Sequence, residues 1–406
     1  MDNALVTTPT KGLDSVAKRT LTALLGQLKH GSLTLVDGGQ QTFGTPEGIH
    51  ATLTIHHPSA YRQIVMGGSI GAGEAFIKGH WSSPNRVALI QLFCKNLSLI
   101  EKLESKISWL TKIPSWIGHR INHNSKKGSK RNIVAHYDLG NPLYETFLDK
   151  QMLYSSAVFP HWDSSLEQAQ LHKMALICDK LRLQPGEHLV EIGTGWGALA
   201  VYAAKHYGVK VTTTTISDAQ HDYAKKRIEE EGLGEQITLL KQDYRDLTGQ
   251  FDKLVSIEMI EAVGHRYFSQ FFQQCTRLLK PSGRMLIQAI TIADQRYSRY
   301  VNSVDFIQRY IFPGGCLPSI ERLGHHIAKD TDMVMEHLED IGLHYAHTLK
   351  AWQQRFCDAL TQVRSLGYGE DFIRMWQFYF DYCQGAFLER QIGTVQVVAN
   401  RPDYRG

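Results

Sequence analysis

The chain has 406 residues, 43% of them hydrophobic, and a formal net charge of +4. Its length and apolar content suit two domains, since domains run to about 100–200 residues, and the charge is too slight to imply a nucleic-acid partner. Six cysteines (Cys94, Cys178, Cys275, Cys316, Cys357 and Cys383) lack the paired spacing of a zinc ribbon or redox dithiol, so a reduced, cytoplasmic protein is expected. The opening residues, MDNALVTTPTKGLD, show no signal-peptide pattern, and no segment approaches the roughly 18 uninterrupted apolar residues that span a bilayer. Membrane contact is therefore expected to be peripheral.

Between about Leu33 and Thr54 the runs LTLV and ATLTI flank glycine-rich turns and predict a small antiparallel sheet. Helical patterning follows Pro84. From Lys95 to Arg131 nine basic residues face only Glu101 and Glu104, with Trp109 and Trp116 among them. A solvated helical face explains this stretch as well as a docking surface for anionic lipid, where each basic residue contributes on the order of 1 kcal/mol and indole rings settle at the headgroups. The polar run NHNSKKGSK reads as a linker, which divides the chain into an N-terminal lipid-associated domain (1–121), a basic linker (122–131) and a catalytic domain (132–406).

In the third segment short apolar strands are predicted at 188–193, 209–216, 236–242, 252–259 and 283–292, separated by helices such as 165–182, 218–231 and 267–279, with a closing strand at TVQVVAN. This alternation predicts an α/β fold, a parallel Rossmann-like sheet with helices on both faces, interrupted by helical insertions rich in aromatic residues. The N-terminal domain is expected to be a smaller α+β unit.

The strongest local signal is VEIGTGWGALA, a strand running through Gly193, Gly195 and Gly197 into a helix. Glycines at the carboxyl end of such a strand let a ligand approach the backbone. Their alternate spacing differs from the dinucleotide fingerprint, and no Lys-Ser or Lys-Thr follows as in a phosphate-binding loop. Glu191 suits a ligand that carries an amino group. These features resemble motif I of class I methyltransferases, which implies S-adenosylmethionine. The resemblance places the ribose near Thr215, Ile216, Ser217 and Gln220, and the adenine near Gln242, Asp243 and Tyr244.

Further segments resemble the cyclopropane fatty acid synthase family: HYDLGN at 136–141, MLYSSAVF at 152–159, TISDAQ, QDYRDL and YIFPGGCLPS at 310–319, with GGSIGAGEAFIKGHW at 67–81 matching the extra domain of its longer bacterial members. The resemblance implies methyl-carbon transfer to the double bond of an unsaturated phospholipid at a membrane surface. It also implies a bound bicarbonate that removes the final proton. Carried over residue by residue, Glu261 matches the carboxylate that holds the bicarbonate, Tyr345 the tyrosine and Ile290 a main-chain contributor, while Tyr154 and Ser155 fall beside the donor. Ser156 stands where most members have cysteine, Gln288 where they have histidine, and Ala262 replaces another histidine. Both polar replacements still donate hydrogen bonds, but imidazole is the better proton partner near neutral pH. A rerouted proton loss would give a methyl-branched chain in place of a cyclopropane.

Phe306, Tyr310, Phe312, Trp376, Tyr379, Phe380 and Phe387 are candidates for an acyl channel, with an ordinary aromatic core as the rival reading. Glu258 stands three residues before Glu261 and shares its face if that segment is helical, which would raise the pKa of one of the pair, with a solvated acid at a strand end as the commoner outcome. His119 and His123 stand four apart but find no third ligand at a recognisable spacing, so no metal is expected. No serine sits in a nucleophile elbow. A methyltransferase for small polar nucleophiles and a decayed lipid-binding protein remain alternatives, and a homodimer would strengthen attachment to a membrane.

Overall fold

The computed structural model describes residues 12–101 and 139–406. Trp109, Trp116, His119, His123, the 122–131 linker, most of the basic stretch and the first three residues of HYDLGN lie outside the described residues. The chain forms two compact units, one of Met1–Arg120, Val304–Ile311 and Phe356–Gln391, the other of Ile121–Ser303, Phe312–Arg355 and Ile392–Gly406.

The first unit carries a sheet of β1 (Ser32–Val36), β2 (Gln40–Gly44), β3 (His50–Ile55) and β4 (Trp81–Ser82) in the order β2-β1-β3-β4. The antiparallel pairing expected between LTLV and ATLTI is corrected: β1 and β3 run parallel, with Leu33 opposite Ala51 and Leu35 opposite Leu53. The intervening QQTFG takes the antiparallel place on one edge of β1, so the chain returns on the other side in the original direction.

The domain boundary also needs correction, because two segments beyond residue 132 belong to the first unit. The helix Glu370–Leu388 buries Ile373, Trp376, Tyr379, Phe380, Cys383 and Phe387, a stripe at helical spacing that must find a core. It packs on the helices Ser59–Ile77 and Arg86–Lys95. Gly385 permits the approach, since a Cβ there would lie 2.7 Å from Ile90 Cγ2, and Arg86 pairs with buried Asp381. Phe306 fills the space beside Gly73 and meets the Phe378 ring at 4.7 Å. Of the seven aromatics considered for an acyl channel, only Phe312 lies in the second unit.

The second unit contains β5 (His188–Ile192), β6 (Lys210–Thr215), β7 (Ile237–Lys241), β8 (Phe251–Ile257), β9 (Leu279–Ile292), β10 (Val334–Asp340) and β11 (Ile392–Asn400), in the order β10-β11-β9-β8-β5-β6-β7. Neighbours from β7 to β9 pair in parallel, and β11 pairs antiparallel to both β9 and β10. Successive strand residues point to opposite faces. Val190 and Ile287 join Phe271, Phe272 and Leu278 on one face, while Leu189 and Leu286 join Ile177, Leu181 and Leu199 on the other. Each large apolar side chain so buried contributes about 1.5–3 kcal/mol. The chain moves from β5 outward to β7, then returns to add β8 and β9 on the opposite side. Strand order thus reverses between β5 and β8, and ligands of open α/β sheets bind at the carboxyl ends of strands at such a point.

Candidate active site

The loops leaving β5 and β8 flank that switch point. Gly193, Gly195 and Gly197 all have positive φ, at 103°, 52° and 85°, a region that side chains rarely adopt. A Cβ on Gly197 would sit 3.1 Å from Ala224 Cβ, so this glycine allows two helices to approach. Gly195 differs. A Cβ there would meet nothing within 4 Å, which leaves the open backbone that a methyl donor needs. The loop is pinned by Gly193 and Thr194, whose N–H groups donate to Thr214 O at 3.1 and 3.0 Å.

Glu191 lies almost wholly inside the sheet, accepts from Thr213 Oγ1 at 2.6 Å, and is pushed up to about 8 by burial. It therefore braces β5 against β6 rather than standing open as a charged acid. Thr215 and Gln220 share a 3.0 Å hydrogen bond, and the Ser217 hydroxyl caps the helix Asp218–Glu230 by accepting from Gln220 N. Ile216 sits between them, half-buried. These residues form one ordered corner at the end of β6, where the ribose was expected.

At the end of β7 the residues expected near the adenine have partners within the protein. Asp243 accepts from Arg245 Nε and a terminal guanidinium nitrogen at 2.8 and 2.7 Å. Tyr244 turns its ring onto Phe271, 5.5 Å away edge to face, so burial raises its hydroxyl pKa. Gln242 donates to Asp246 O at 2.7 Å. These side chains hold the loop in shape.

Three of the five residues expected to surround a bicarbonate, Ser156, Gln288 and Tyr345, converge on Glu258. Its Oε1 accepts from Ser156 N at 2.9 Å and Gln288 Nε2 at 2.8 Å, and its Oε2 accepts from the Tyr345 hydroxyl at 2.9 Å. Burial raises the carboxyl group above its ordinary value, opposed by those donors and by the Lys173 charge. Glu258 is not the solvated acid that its place at a strand end suggested. Its backbone has φ 49°, a strained conformation for a residue with a side chain. The Ser156 hydroxyl, expected to face the site, donates to Ala157 O instead; its main-chain N–H does the work.

Glu261 is placed differently. Its Oε1 accepts from Ile290 N, while Oε2 is buried without a hydrogen-bond partner among the described residues. Burial, reinforced by the neighbouring Glu258 charge, pushes it up to about 8. Among the described residues one donor, Ile290 N, reaches Glu261, whereas three donors are aimed at Glu258.

Cross-strand pairing explains why glutamine serves at position 288. Gln288 on β9 stands opposite Gln396 on β11. Lys180 Nζ donates to Gln396 Oε1, Gln396 Nε2 donates to Gln288 Oε1 at 2.9 Å, and Gln288 Nε2 donates to Glu258. An ammonium can only donate. That fact fixes both amide orientations and points the last N–H at the carboxylate.

Lys173 was missed in the sequence. It is buried, donates to Ser155 Oγ at 2.7 Å, and is lowered to about 8 by burial against the pull of Glu258 and Asp149. A lysine within the buried face of an otherwise amphipathic helix, in EQAQLHKMALI, was the available signal. Tyr154 lies in an aromatic cluster, 5.3 Å from Trp352 and 6.2 Å from Phe312, and Tyr345 is 6.0 Å from Trp352. Ring faces near the reacting centre can stabilise a developing cation. Trp196 in the glycine loop donates to Asn141 Oδ1 at 2.9 Å and so ties the start of this segment to the donor site. Among the described residues no group of three or more His, Cys, Asp or Glu is placed to hold a metal.

Residues 124–397 match the model of the family described as mycolic acid cyclopropane synthetase. The chain is 36% identical over 381 residues to tuberculostearic acid methyltransferase UfaA1 of Mycobacterium tuberculosis, covering 90% of this chain and 87% of that protein. It is 38% identical over 353 residues to cyclopropane-fatty-acyl-phospholipid synthase of Escherichia coli K12, covering 86% and 88%. Among solved structures it is similar to the cyclopropane synthase MmaA2 of M. tuberculosis, with TM-score 0.63 and 29% identity over 67% of this chain and 98% of the other. The mycolic acid cyclopropane synthase CmaA1, solved with SAH and CTAB, gives TM-score 0.62 and 29% identity over the same shares.

Proposed function

The chain belongs to the mycolic acid cyclopropane synthetase family, and on that premise we propose that it transfers the methyl carbon of S-adenosylmethionine to the double bond of an unsaturated phospholipid acyl chain. At the level of the family it is an S-adenosylmethionine-dependent methyltransferase of lipid acyl chains. The double bond, the phospholipid and the product are the proposal. The observation that carries it is the buried, hydrogen-bonded carboxylate of Glu258 beside an aromatic cluster at the switch point of a methyltransferase sheet.

An alkene attacks an electrophilic methyl group without a base, so the protein's task is positioning and exclusion of water. Open backbone at Gly195 and the Thr215–Gln220 corner would hold the donor. Tyr154, Trp352 and Phe312 would present ring faces to the positive charge that follows. The last step removes a proton, and the hydrogen-bond donors in this part of the site are aimed at Glu258. Closure to a cyclopropane is the first reading of that step. A methyl-branched chain is the second, favoured by Gln288 and Glu258 standing where an imidazole and a free anion were expected.

We place the enzyme on the inner face of a membrane as a peripheral protein. Supporting this are the cationic stretch from Lys95 to Arg131 in the sequence and the finding that no described helix is long and apolar enough to cross a membrane. The test is incubation with methyl-labelled donor and vesicles of a defined unsaturated phospholipid, followed by mass spectrometry of the acyl chains. Label in the acyl chain, with none in soluble amines or phenols, is the expected result; the reverse refutes the proposal. A gain of CH2 with loss of the double bond marks ring closure, the same gain with a retained double bond marks the branched olefin, and a saturated chain two hydrogens heavier marks a branched product formed by reduction of the cation.

A further inference from the structure

We propose that Glu258 is itself the catalytic base, built into the chain in the place of a bound bicarbonate, so that turnover requires no carbonate. The inference rests on the proposed alkene methylation and concerns its last step. In that step the alkene π pair forms a bond to the donor methyl, the carbon–sulfur bond breaks, and S-adenosylhomocysteine leaves. A cation remains on the acyl chain. A Glu258 oxygen takes one proton from a carbon adjoining that cation or from the new methyl group, and the freed C–H pair becomes either a π bond or the closing bond of the ring. The proton returns to solvent before the next turnover.

Four observations support this assignment. The donors that would cradle a bicarbonate are already engaged: Ser156 N, Gln288 Nε2 and the Tyr345 hydroxyl all donate to Glu258. A second anion among them would need other partners and would meet a like charge within a buried site, a costly arrangement. The direction of the Gln288 amide is imposed from Lys180 through Gln396, so that donor cannot turn away to receive a different group.

The backbone is the third observation. Glu258 holds φ 49°, which costs about 1–2 kcal/mol for a residue with a Cβ. Such strain persists where the surroundings over-determine it and gathers at functional sites. Fourth, the geometry favours Glu258 over Glu261 as the carboxylate. Among the described residues only Ile290 N donates to Glu261, whose Oε2 is buried without a hydrogen-bond partner. Three donors meet the two oxygens of Glu258, and the Lys173 charge favours its ionised form against the effect of burial.

The experiment compares turnover of the wild-type protein on unsaturated phospholipid vesicles in carbonate-stripped buffer and in the same buffer with bicarbonate added. Equal rates are expected, and a rate that depends on bicarbonate overturns the inference. Glu258→Gln should lower turnover by about 10²–10⁴-fold, the usual contribution of a general base, while calorimetry shows unchanged binding of S-adenosylmethionine. Glu258→Gly, which suits the left-handed backbone, should recover part of the rate with formate or bicarbonate. Should the variants fail to bind the donor, the wild-type comparison decides alone. Absence of methylated lipid from wild type in both buffers would sink this inference together with the proposed function; product formed only with bicarbonate sinks this inference and leaves that function standing.

Discussion

Replacing Tyr345 by phenylalanine removes one oxygen atom and one hydrogen bond, the 2.9 Å contact from its hydroxyl to Glu258 Oε2. Tyr345 is buried, so water does not readily substitute. A hydrogen bond to a charged group contributes about 1.5–3 kcal/mol, and a pKa unit corresponds to about 1.4 kcal/mol. Loss of the donor should therefore raise the Glu258 pKa by roughly 1–2 units. A base acts when ionised, so the rate falls as pH drops through that pKa. In the variant this acid limb should move upward by the same roughly 1–2 units. The alkaline side, where Glu261 and Lys173 titrate near about 8, should stay in place. The variant's pH optimum is then narrower, with most of the loss at low pH. Initial rates of S-adenosylhomocysteine formation on phospholipid vesicles across the pH range provide the measurement. A uniform drop in rate with an unmoved acid limb would refute the coupling between Tyr345 and Glu258.

Three further outcomes follow from the same geometry. Glu261 is raised from 4.5 to about 8 on folding, so between those values the native state holds a proton that the unfolded chain has released, and stability falls as pH rises. Glu261→Gln should flatten that decline in denaturant titrations at about pH 5 and pH 8; parallel slopes for the two proteins would contradict it. Gly197→Ala combines φ 85° with a 3.1 Å contact to Ala224 and should lower thermal stability, whereas Gly195→Ala, at φ 52° with open space around it, should cost less stability and more donor affinity. Melting curves and calorimetry separate the two effects, and equal ratios of affinity loss to stability loss would defeat the distinction. Lys173→Met removes the buried counter-charge of Glu258, so the acid limb should again move upward; a limb that stays put would exclude Lys173 from the electrostatics of the site.

Much of the second unit was legible because its parallel strands are short apolar runs between amphipathic helices, and the six expected strands fall within a few residues of β5, β6, β7, β8, β9 and β11. β10 escaped because VMEHLED, at the sheet edge, buries none of its residues and carries Glu336, Glu339 and Asp340 among few apolar ones. QQTFG escaped for the same reason in the first unit, where every residue of β2 is exposed or half-exposed. The helix Glu370–Leu388 could be recognised from its aromatic stripe, yet periodicity tells only that a face is buried. It does not say against which core, and that choice moved 356–391 out of the unit in which the sequence placed it.

The site shows a sharper limit. Motif correspondence drew attention to Glu261, and the E-x-x-E spacing made Glu258 visible without ranking the two. What ranks them is a backbone φ of 49° together with donors contributed from Ser156, Gln288 and Tyr345, 102, 30 and 87 residues away in sequence. No local pattern encodes such convergence. One signal was nevertheless present: Gln288 in MLIQAITI and Gln396 in TVQVVA are amides within apolar runs that read as central strands. A buried carboxamide left unpartnered costs about 1–3 kcal/mol, so two of them in neighbouring strands imply each other and a further acceptor. That acceptor is Glu258, and the chain that reaches it begins at Lys180. Gln288 is therefore better understood as the final donor of a fixed network than as a weakened replacement for histidine. An imidazole in its place would bring a proton of its own, whereas an amide supplies a permanent neutral donor and leaves the titration to the carboxylate it holds.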